Sequence, residues 1–191
     1  MLTFDGVWHF GEVFSSQMNS DFHCTGQMAD VNIVDRVAHG GGGVMVWAGV
    51  CYGQGTQVHF IDGILNAQRY HDEILRPIVV PYIHDHHLML QHDNAWPHVA
   101  RICTQFLEAE NIPVLAWPSK SPDMSPIEHV WDALEWRIRQ HVPVPTNNQQ
   151  LPTAIEEKWT NIPQATINNL ISSMRRRCVA LREANGGHSR Y

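Results

Sequence analysis

The chain has few cysteines and places them far apart, and this argues against several classes of protein. The four cysteines, at positions 24, 51, 103 and 178, form no C-x-x-C pair. This spacing disfavours a disulfide scaffold or a cysteine zinc site and predicts a reducing compartment. No apolar run reaches the ~18 residues of a membrane-spanning helix, and the first residues lack the basic and apolar segments of a secretory leader. We therefore expect no membrane contact and no secretion.

Charged residues are also scarce, and they are unevenly distributed. They make up 17% of the 191 residues, and the net charge of −6 excludes a basic protein that coats nucleic acid over its whole surface. Residues 1–135 hold 16 acids and 5 bases, whereas residues 136–191 hold 3 acids and 8 bases. Either the acidic part holds metal ions and the basic part contacts a polyanion, or the basic residues form a solvated helix face.

Hydrophobic periodicity predicts one folded domain of mixed strands and helices. The 43% of hydrophobic residues is enough for a core. Strands are predicted at 44–52, 56–61, 87–93 and 112–117, and helices at 66–84, 97–111, 126–141, 148–161 and 163–184. Pro77 and Pro81 predict a kink, and residues 1–37 show no sustained period. The order predicts an α/β fold with a mixed sheet and a helical C-terminal extension.

Three acidic residues lie at the ends of predicted elements. Asp5 follows a short apolar run, Asp93 ends the strand at 87–93, and Glu128 lies in the first turn of a helix. Ligands of open α/β sheets bind beyond the carboxyl ends of strands, and a carboxylate-only pocket suits Mg²⁺ or Mn²⁺. Two such ions can activate an attacking oxygen and stabilise the leaving one. The competing acids are Asp123, Asp132 and Glu135.

Each of these acids also has a structural interpretation. Asp93 and Asn94 form an ordinary turn in this view, and Asp5 is a solvated acid near the chain start. Glu128 is three residues after Ser125, which is the spacing of a capping box. The spacing alone leaves both interpretations open.

A group of histidines suggests zinc, but its spacing does not fit known zinc motifs. The residues are His84, His86, His87, His92 and His98. They match neither H-E-x-x-H nor a zinc finger, and we predict that they are surface residues. The sequence also contains no G-x-S-x-G signature of a serine hydrolase.

Five sequence blocks resemble the catalytic domain of mariner-superfamily transposases, in the Tc-one-like branch. They are VMVWAG (44–49), QHDNAWPH (91–98), SPDMSPIEHVWD (121–132), SMRRRC (173–178) and NGGH (185–188). The similarity extends over about residues 29–191. It implies a ribonuclease-H-like mixed sheet flanked by helices, with a catalytic domain over 1–142 whose residues 1–28 are degraded, and a helical extension over 143–191. Because the similarity begins at about residue 29, we expect the family's N-terminal helix-turn-helix DNA-binding domain to be absent.

The resemblance also implies an activity and the residues that perform it. In this branch, 34 residues separate the second Asp and the Glu of an Asp-Asp-Glu triad, as they do between Asp93 and Glu128. By its spacing, Asp5 is the first acid. The family implies that these three carboxylates bind two Mg²⁺ or Mn²⁺ ions. It further implies cut-and-paste transposition: metal-dependent DNA strand cleavage and strand transfer in the nucleus. The implied partners are transposon ends and target DNA, with a possible homodimer.

The chain departs from the family pattern at several positions. Gly6 and Val7 follow Asp5 where the family has Glu and Ser, and Trp96 and Trp136 replace family arginines. The alternative function is therefore an inactive transposase remnant that at most binds DNA or pairs with full-length relatives. A third is a ribonuclease-H-like hydrolase of another nucleic acid. The cluster Arg175–Arg177 either contacts phosphates or forms a solvated helix face.

Overall fold

A computed structural model describes residues 25–34, 43–115, 125–140 and 150–183, with the backbone alone at 25–34, 43 and 181–183. The strands of this part are β1 (Thr25–Val34), β2 (Gly43–Cys51), β3 (Gln54–Gly55), β4 (His59–Ile61) and β5 (Met89–Gln91). Its helices are α1 (Ala67–Arg69), a π-helical segment (Tyr70–Val79), α2 (Val80–His86), α3 (Arg101–Ala109), α4 (Pro126–Arg139), α5 (Gln150–Thr160) and α6 (Gln164–Glu183). None of these helices is long and apolar enough to cross a membrane.

The strands form one mixed sheet in which β1 has a neighbour on each side. β1 pairs antiparallel with β2, from Gln27 opposite Val50 to Val34 opposite Gly43. It pairs in parallel with β5 on its other edge. β3 and β4 both pair antiparallel with β2. A mixed sheet flanked by helices confirms the predicted fold class.

Strand β2 contributes to a separate hydrophobic core on each face of the sheet. Successive side chains of a strand point to opposite faces, so Val46 and Val50 face one core while Trp47 and Cys51 face the other. All four are almost completely buried. A strand buried on both faces reads as a nearly continuous apolar run, which explains the sequence of residues 44–51.

The first core joins β2 and β5 to the helices between them. Trp47 packs there with Leu90 of β5, with Ile74 and Leu75 of the π-helical segment, and with Leu107 of α3. These five residues are at most 2% exposed. This packing holds β5, and therefore the residues that follow it, against the sheet.

The second core holds α4, α5 and α6 against the opposite face. The buried residues of α4 recur every three or four positions and are Ile127, Val130, Trp131, Leu134 and Ile138. The Trp131 ring lies 4.9 Å from the Trp159 ring of α5, and the Trp159 indole donates a 2.9 Å hydrogen bond to the Thr56 carbonyl. The predicted boundary at residue 142 lies outside the described residues, so the two-domain division stays a prediction.

Strand β1 is present in the structure but is missing from the strands predicted from the sequence. This omission is the main error of the sequence-based fold. Residues 1–37 show no sustained period, and polar residues such as Gln27, Asp30 and Asn32 interrupt any apolar run within β1. Two ladders, to β2 and β5, nevertheless hold this segment as an internal strand. Strand propensity depends on cross-strand neighbours, and the segment's own pattern reveals neither β2 nor the distant β5, whose Met89 pairs with Thr25.

Smaller predictions also need correction. Residues Tyr70–Val79, which include Pro77, are π-helical, and the Val80 backbone N–H donates to the Leu75 carbonyl five residues earlier. The kink predicted at Pro77 and Pro81 stays a prediction. The predicted strand at 112–117 is reduced, within its described residues, to one parallel bridge between Val114 and Leu90. The helix predicted from residue 97 begins at Arg101.

The packing of α4 predicts the effect of a cavity in the second core. Leu134 is fully buried, whereas Asp132 on the same helix is exposed. We expect Leu134→Ala to lower the free energy of unfolding by about 2–5 kcal/mol, because it removes buried methyl groups and leaves a cavity. Asp132→Ala, the control, should change it by less than about 0.5 kcal/mol. Urea unfolding measures both, and equal effects would contradict this arrangement of α4.

Candidate active site

Asp93 lies just beyond the carboxyl end of β5, which pairs with β1 in the sheet. It follows β5, which ends at Gln91, and β5 is held by its parallel pairing with β1 and by the buried Leu90. The Asp93 side chain is 56% exposed. The structure therefore places this carboxylate as predicted, at a sheet end where ligands of α/β proteins bind.

A tight turn after Asp93 fixes the position of its carboxylate. The Ala95 backbone N–H donates to Asp93 Oδ1 over 3.0 Å, and His98 Nδ1 donates to the same oxygen over 2.6 Å. The backbone N–H of His98 also donates a hydrogen bond, to the carbonyl of Ala95. The hydrogen bonds of this turn leave the Asp93 carboxylate in a defined orientation.

His98 connects this carboxylate to the first core. Its ring is 1% exposed and lies 4.3 Å from the Tyr70 ring, centroid to centroid. Tyr70 opens the π-helical segment and is itself buried. A packed imidazole that donates to a carboxylate restricts the rotamer of that carboxylate.

The surroundings keep Asp93 ionised. Burial by itself would raise the pKa of Asp93, but the hydrogen bond and charge of His98 and the Ala95 N–H outweigh it, and the pKa lies below its usual value. Each donor stabilises the charged form of the acid. An ionised, half-exposed carboxylate is the state required of a metal ligand.

His92 completes a three-residue cluster around Asp93. Its ring centroid lies 5.5 Å from that of His98, and its Nδ1 contacts the Asp93 carbonyl. Burial lowers the pKa of His92 despite that contact. One ligand atom from each of His92, Asp93 and His98 lies within 4.8 Å of the other two.

The histidine prediction is therefore partly wrong. His84, His86 and His87 are exposed as predicted, but His92 is half-buried and His98 is buried. The motifs that define zinc sites on helices and in fingers do not cover a cluster formed by a turn after a strand. The usable signal is the turn after Asp93, which brings His98, five residues later, back to the Asp93 carboxylate.

Glu128 lies in the first turn of α4 and is half-buried. Ser125 is the N-cap residue and Pro126 opens the helix, as predicted, but the Ser125 side chain makes no capping hydrogen bond to α4. The capping box is thus incomplete. The positive end of a helix dipole favours a carboxylate at the position of Glu128.

The structure distinguishes some of the predicted acids and leaves others untested. Among the described residues, the cluster around Asp93 does not include Glu128. Glu135 forms an ion pair with Arg139 at 2.5 Å, and Asp132 is exposed. Asp5 and Asp123 lie outside the described residues. The assignment of Asp5, Asp93 and Glu128 as one set of catalytic and metal-binding residues stays a prediction.

The two tryptophans that depart from the family pattern are largely exposed to solvent. Trp96 lies in the turn after Asp93 and is 90% exposed, and Trp136 on α4 is 60% exposed. In the basic cluster of α6, Arg177 is half-buried, and its Nη1 lies 2.6 Å from Nε2 of His129, the residue next to Glu128. Arg175 and Arg176 are exposed, whereas Arg177 is held against α4, and the choice between phosphate contact and a solvated face stays a prediction.

Comparison with known protein families identifies a related domain. The family of DDE superfamily endonucleases matches residues 25–150. The chain is 34% identical over 159 residues to the Tc1 transposase of Caenorhabditis elegans, a match that covers 81% of this chain and 57% of the relative. It is 32% identical over 164 residues to the Tcb2 transposase of Caenorhabditis briggsae, covering 83% of this chain and 58% of the relative. The chain thus spans a little over half the length of these relatives.

Solved structures show the same fold at low sequence identity. The catalytic domain of Mos1 mariner transposase superposes with a TM-score of 0.82 at 16% identity, covering 100% of this chain and 98% of that one. The same catalytic domain solved with Raltegravir and Mg has a TM-score of 0.81 at 16% identity and full coverage of both chains. A Mos1 paired-end complex with the left transposon end has a TM-score of 0.83 at 15% identity, covering 100% of this chain and 65% of that one.

The contact between His98 and Asp93 predicts a measurable change in the acidity of Asp93. His98→Phe keeps a ring beside Tyr70 but removes the donor, so we expect the pKa of Asp93 to rise. We also expect the free energy of unfolding to fall by about 1–3 kcal/mol, since a buried hydrogen bond to a charged group is lost. Carboxyl ¹³C NMR titration and urea unfolding measure the two effects. His84→Phe, at an exposed position, is the control, and an unchanged Asp93 titration would refute the contact.

Proposed function

Because the chain belongs to the DDE endonuclease family, in its Tc1/mariner transposase branch, we propose that it catalyses DNA strand cleavage and strand transfer in cut-and-paste transposition. The observation that carries this proposal is the ionised Asp93 at the end of β5, held by His98 in a ribonuclease-H-like sheet. Glu128 follows at the family's spacing, on a helix that packs on the same sheet.

The donor set fits divalent metal ions. Carboxylate oxygens are the ligands that Mg²⁺ and Mn²⁺ prefer, and Mos1 catalytic domain structures have been solved with Mg and with Mn. In the proposal, Asp5, Asp93 and Glu128 hold two ions. When bound, such ions lower the pKa of an attacking water and stabilise the leaving oxygen of a phosphodiester.

The residues of this chain have separate tasks in the proposed reaction. Asp93 supplies negative charge at a fixed position, because two donors orient its Oδ1. His98 is a positioning residue, since it acts on Asp93 from the buried side. Glu128 supplies a second carboxylate from the start of α4, where the helix dipole favours its charge.

The proposed substrate is DNA, specifically transposon ends and target DNA. Mos1 forms a paired-end complex with the left transposon end, and this supports two DNA ends and a pair of subunits as partners of the present chain. The proposed location of the reaction is the nucleus, as the family resemblance implies. The Arg177 contact to His129 puts basic charge on α6 beside α4, which suits a phosphate backbone near Glu128.

The catalytic assignment predicts the effect of neutralising each acid. We expect Asp93→Asn and Glu128→Gln each to lower Mn²⁺-dependent cleavage of duplex DNA by at least ~100-fold, as loss of an electrostatic catalytic group does in other enzymes. Asp5→Asn tests the first acid in the same assay. The matched controls are Asp132→Asn and Glu135→Gln, which should cleave within about threefold of the unaltered chain.

The outcomes separate the proposed activity from its alternative. Cleavage that depends on Asp93 and Glu128 but not on Glu135 supports a DDE enzyme. No cleavage by the unaltered folded chain would indicate the inactive remnant. Full activity of Asp93→Asn would contradict the assignment of Asp93.

The exposed Trp96 predicts how a family residue would change DNA binding. Arginine at this position would add a cation to the edge of the site, so we expect Trp96→Arg to bind duplex DNA more tightly. The plot of log Kd against log salt should steepen by about 0.9, the value for one additional phosphate contact. Ile64→Arg is the control, because Ile64 is 84% exposed in the loop between β4 and α1. Fluorescence anisotropy measures both variants, and an equal gain in the two would show a nonspecific charge effect.

A further inference from the structure

The cluster of His92, Asp93 and His98 is a second set of ligands that shares one residue with the proposed catalytic site. Two imidazole nitrogens and one carboxylate oxygen lie within 4.8 Å of one another. We propose that this cluster binds a Zn²⁺ ion, in a site that differs in donor chemistry from the carboxylate set of Asp5, Asp93 and Glu128.

The two histidines are suited to the role because their rings are held in place. His98 is 1% exposed, packs on Tyr70, and directs Nδ1 at Asp93. His92 packs edge-on against His98 at 5.5 Å. Rings that are already ordered lose little conformational entropy when they bind an ion.

The geometry needs only a small adjustment to accept the ion. Two ligand atoms of tetrahedral zinc lie about 3.4 Å apart, given bonds of about 2.0–2.1 Å. His98 Nδ1 and Asp93 Oδ1 are 2.6 Å apart because they share a proton in a hydrogen bond. When zinc takes the place of that proton, the contact opens by about 0.8 Å, from 2.6 Å to about 3.4 Å. Rotation of the half-exposed Asp93 side chain can supply this movement.

The donor set selects zinc over magnesium. Imidazole nitrogen is a common zinc ligand, whereas Mg²⁺ prefers oxygen and gives up its waters reluctantly. Three protein ligands leave the fourth coordination position of a tetrahedral zinc ion open to water. The remaining histidines with exposed side chains, such as His84 and His86, lie on α2 and are not part of the cluster.

Zinc at this cluster has a consequence for the proposed reaction. Asp93 belongs to both ligand sets, so an ion held by His92 and His98 withdraws this carboxylate from the Mg²⁺ site. Low concentrations of Zn²⁺ should therefore inhibit Mg²⁺-dependent cleavage. This consequence rests on the proposed function, whereas zinc binding itself does not.

The test is titration of the full chain with Zn²⁺ by calorimetry, and with Co²⁺ as a spectroscopic substitute. We expect one ion per chain, with visible absorption of a low-symmetry Co²⁺ site that lacks the intense thiolate band. His92→Ala and His98→Ala should each weaken Zn²⁺ binding at least tenfold. His92 is only half-buried, so we expect the fold to tolerate His92→Ala. This variant therefore still tests the site if His98→Ala fails to fold.

The matched control is the double variant His84→Ala with His86→Ala, which removes two exposed histidines and should bind Zn²⁺ as the unaltered chain does. Unchanged affinity in His92→Ala, or loss of binding in the control, overturns the proposal. Absence of DNA cleavage under all conditions would count against the proposed function and leave the binding result unaffected.

Discussion

The structure depends on the burial of β2 on both faces. Alternate side chains of this strand, Val46 and Trp47 being one pair, belong to two different cores. One core fixes β5 and the turn that carries Asp93, and the other fixes α4, which carries Glu128. A single strand therefore sets the positions of two proposed catalytic acids that are far apart in the sequence. Burial of apolar surface stabilises a fold by about 25 cal/mol per Å², and β2 contributes such surface on both of its faces.

The site combines a rigid buried side with an open side. His98 packs on Tyr70 in the core, while Asp93 is half-exposed and Trp96 projects into solvent. Such an arrangement suits chemistry on a large polymer, because the buried side orients the carboxylate and the solvent-exposed side leaves room for a substrate to approach. The same arrangement places two imidazoles beside the Asp93 carboxylate, so this carboxylate can interact either with a histidine or with a bound cation. Its charge is stabilised by a proton on His98 here, and by a divalent cation in the functions proposed.

The acidic balance of the chain also agrees with this arrangement. Acids in the first 135 residues concentrate negative charge on the part that contains Asp93 and Glu128, while the three consecutive arginines lie on α6. Arg177 reaches back to His129 on α4, so the two regions of opposite charge meet near Glu128. A local basic surface of this kind attracts a polyanion without a basic protein overall.

The sequence by itself determined the family, the apolar strand β2, the amphipathic helices α4 to α6, and Asp93 and Glu128 as candidate acids, because each is encoded in local spacing or in contiguous motifs. Only the tertiary structure revealed β1, since its polar segment becomes a strand through pairing with β2 and β5 rather than through its own pattern. Only the fold showed that His98 is buried against Asp93, because the contact requires the turn and the Tyr70 ring from a distant helix. Local residue patterns specify elements, whereas the partners of a side chain depend on which elements the packed core brings together.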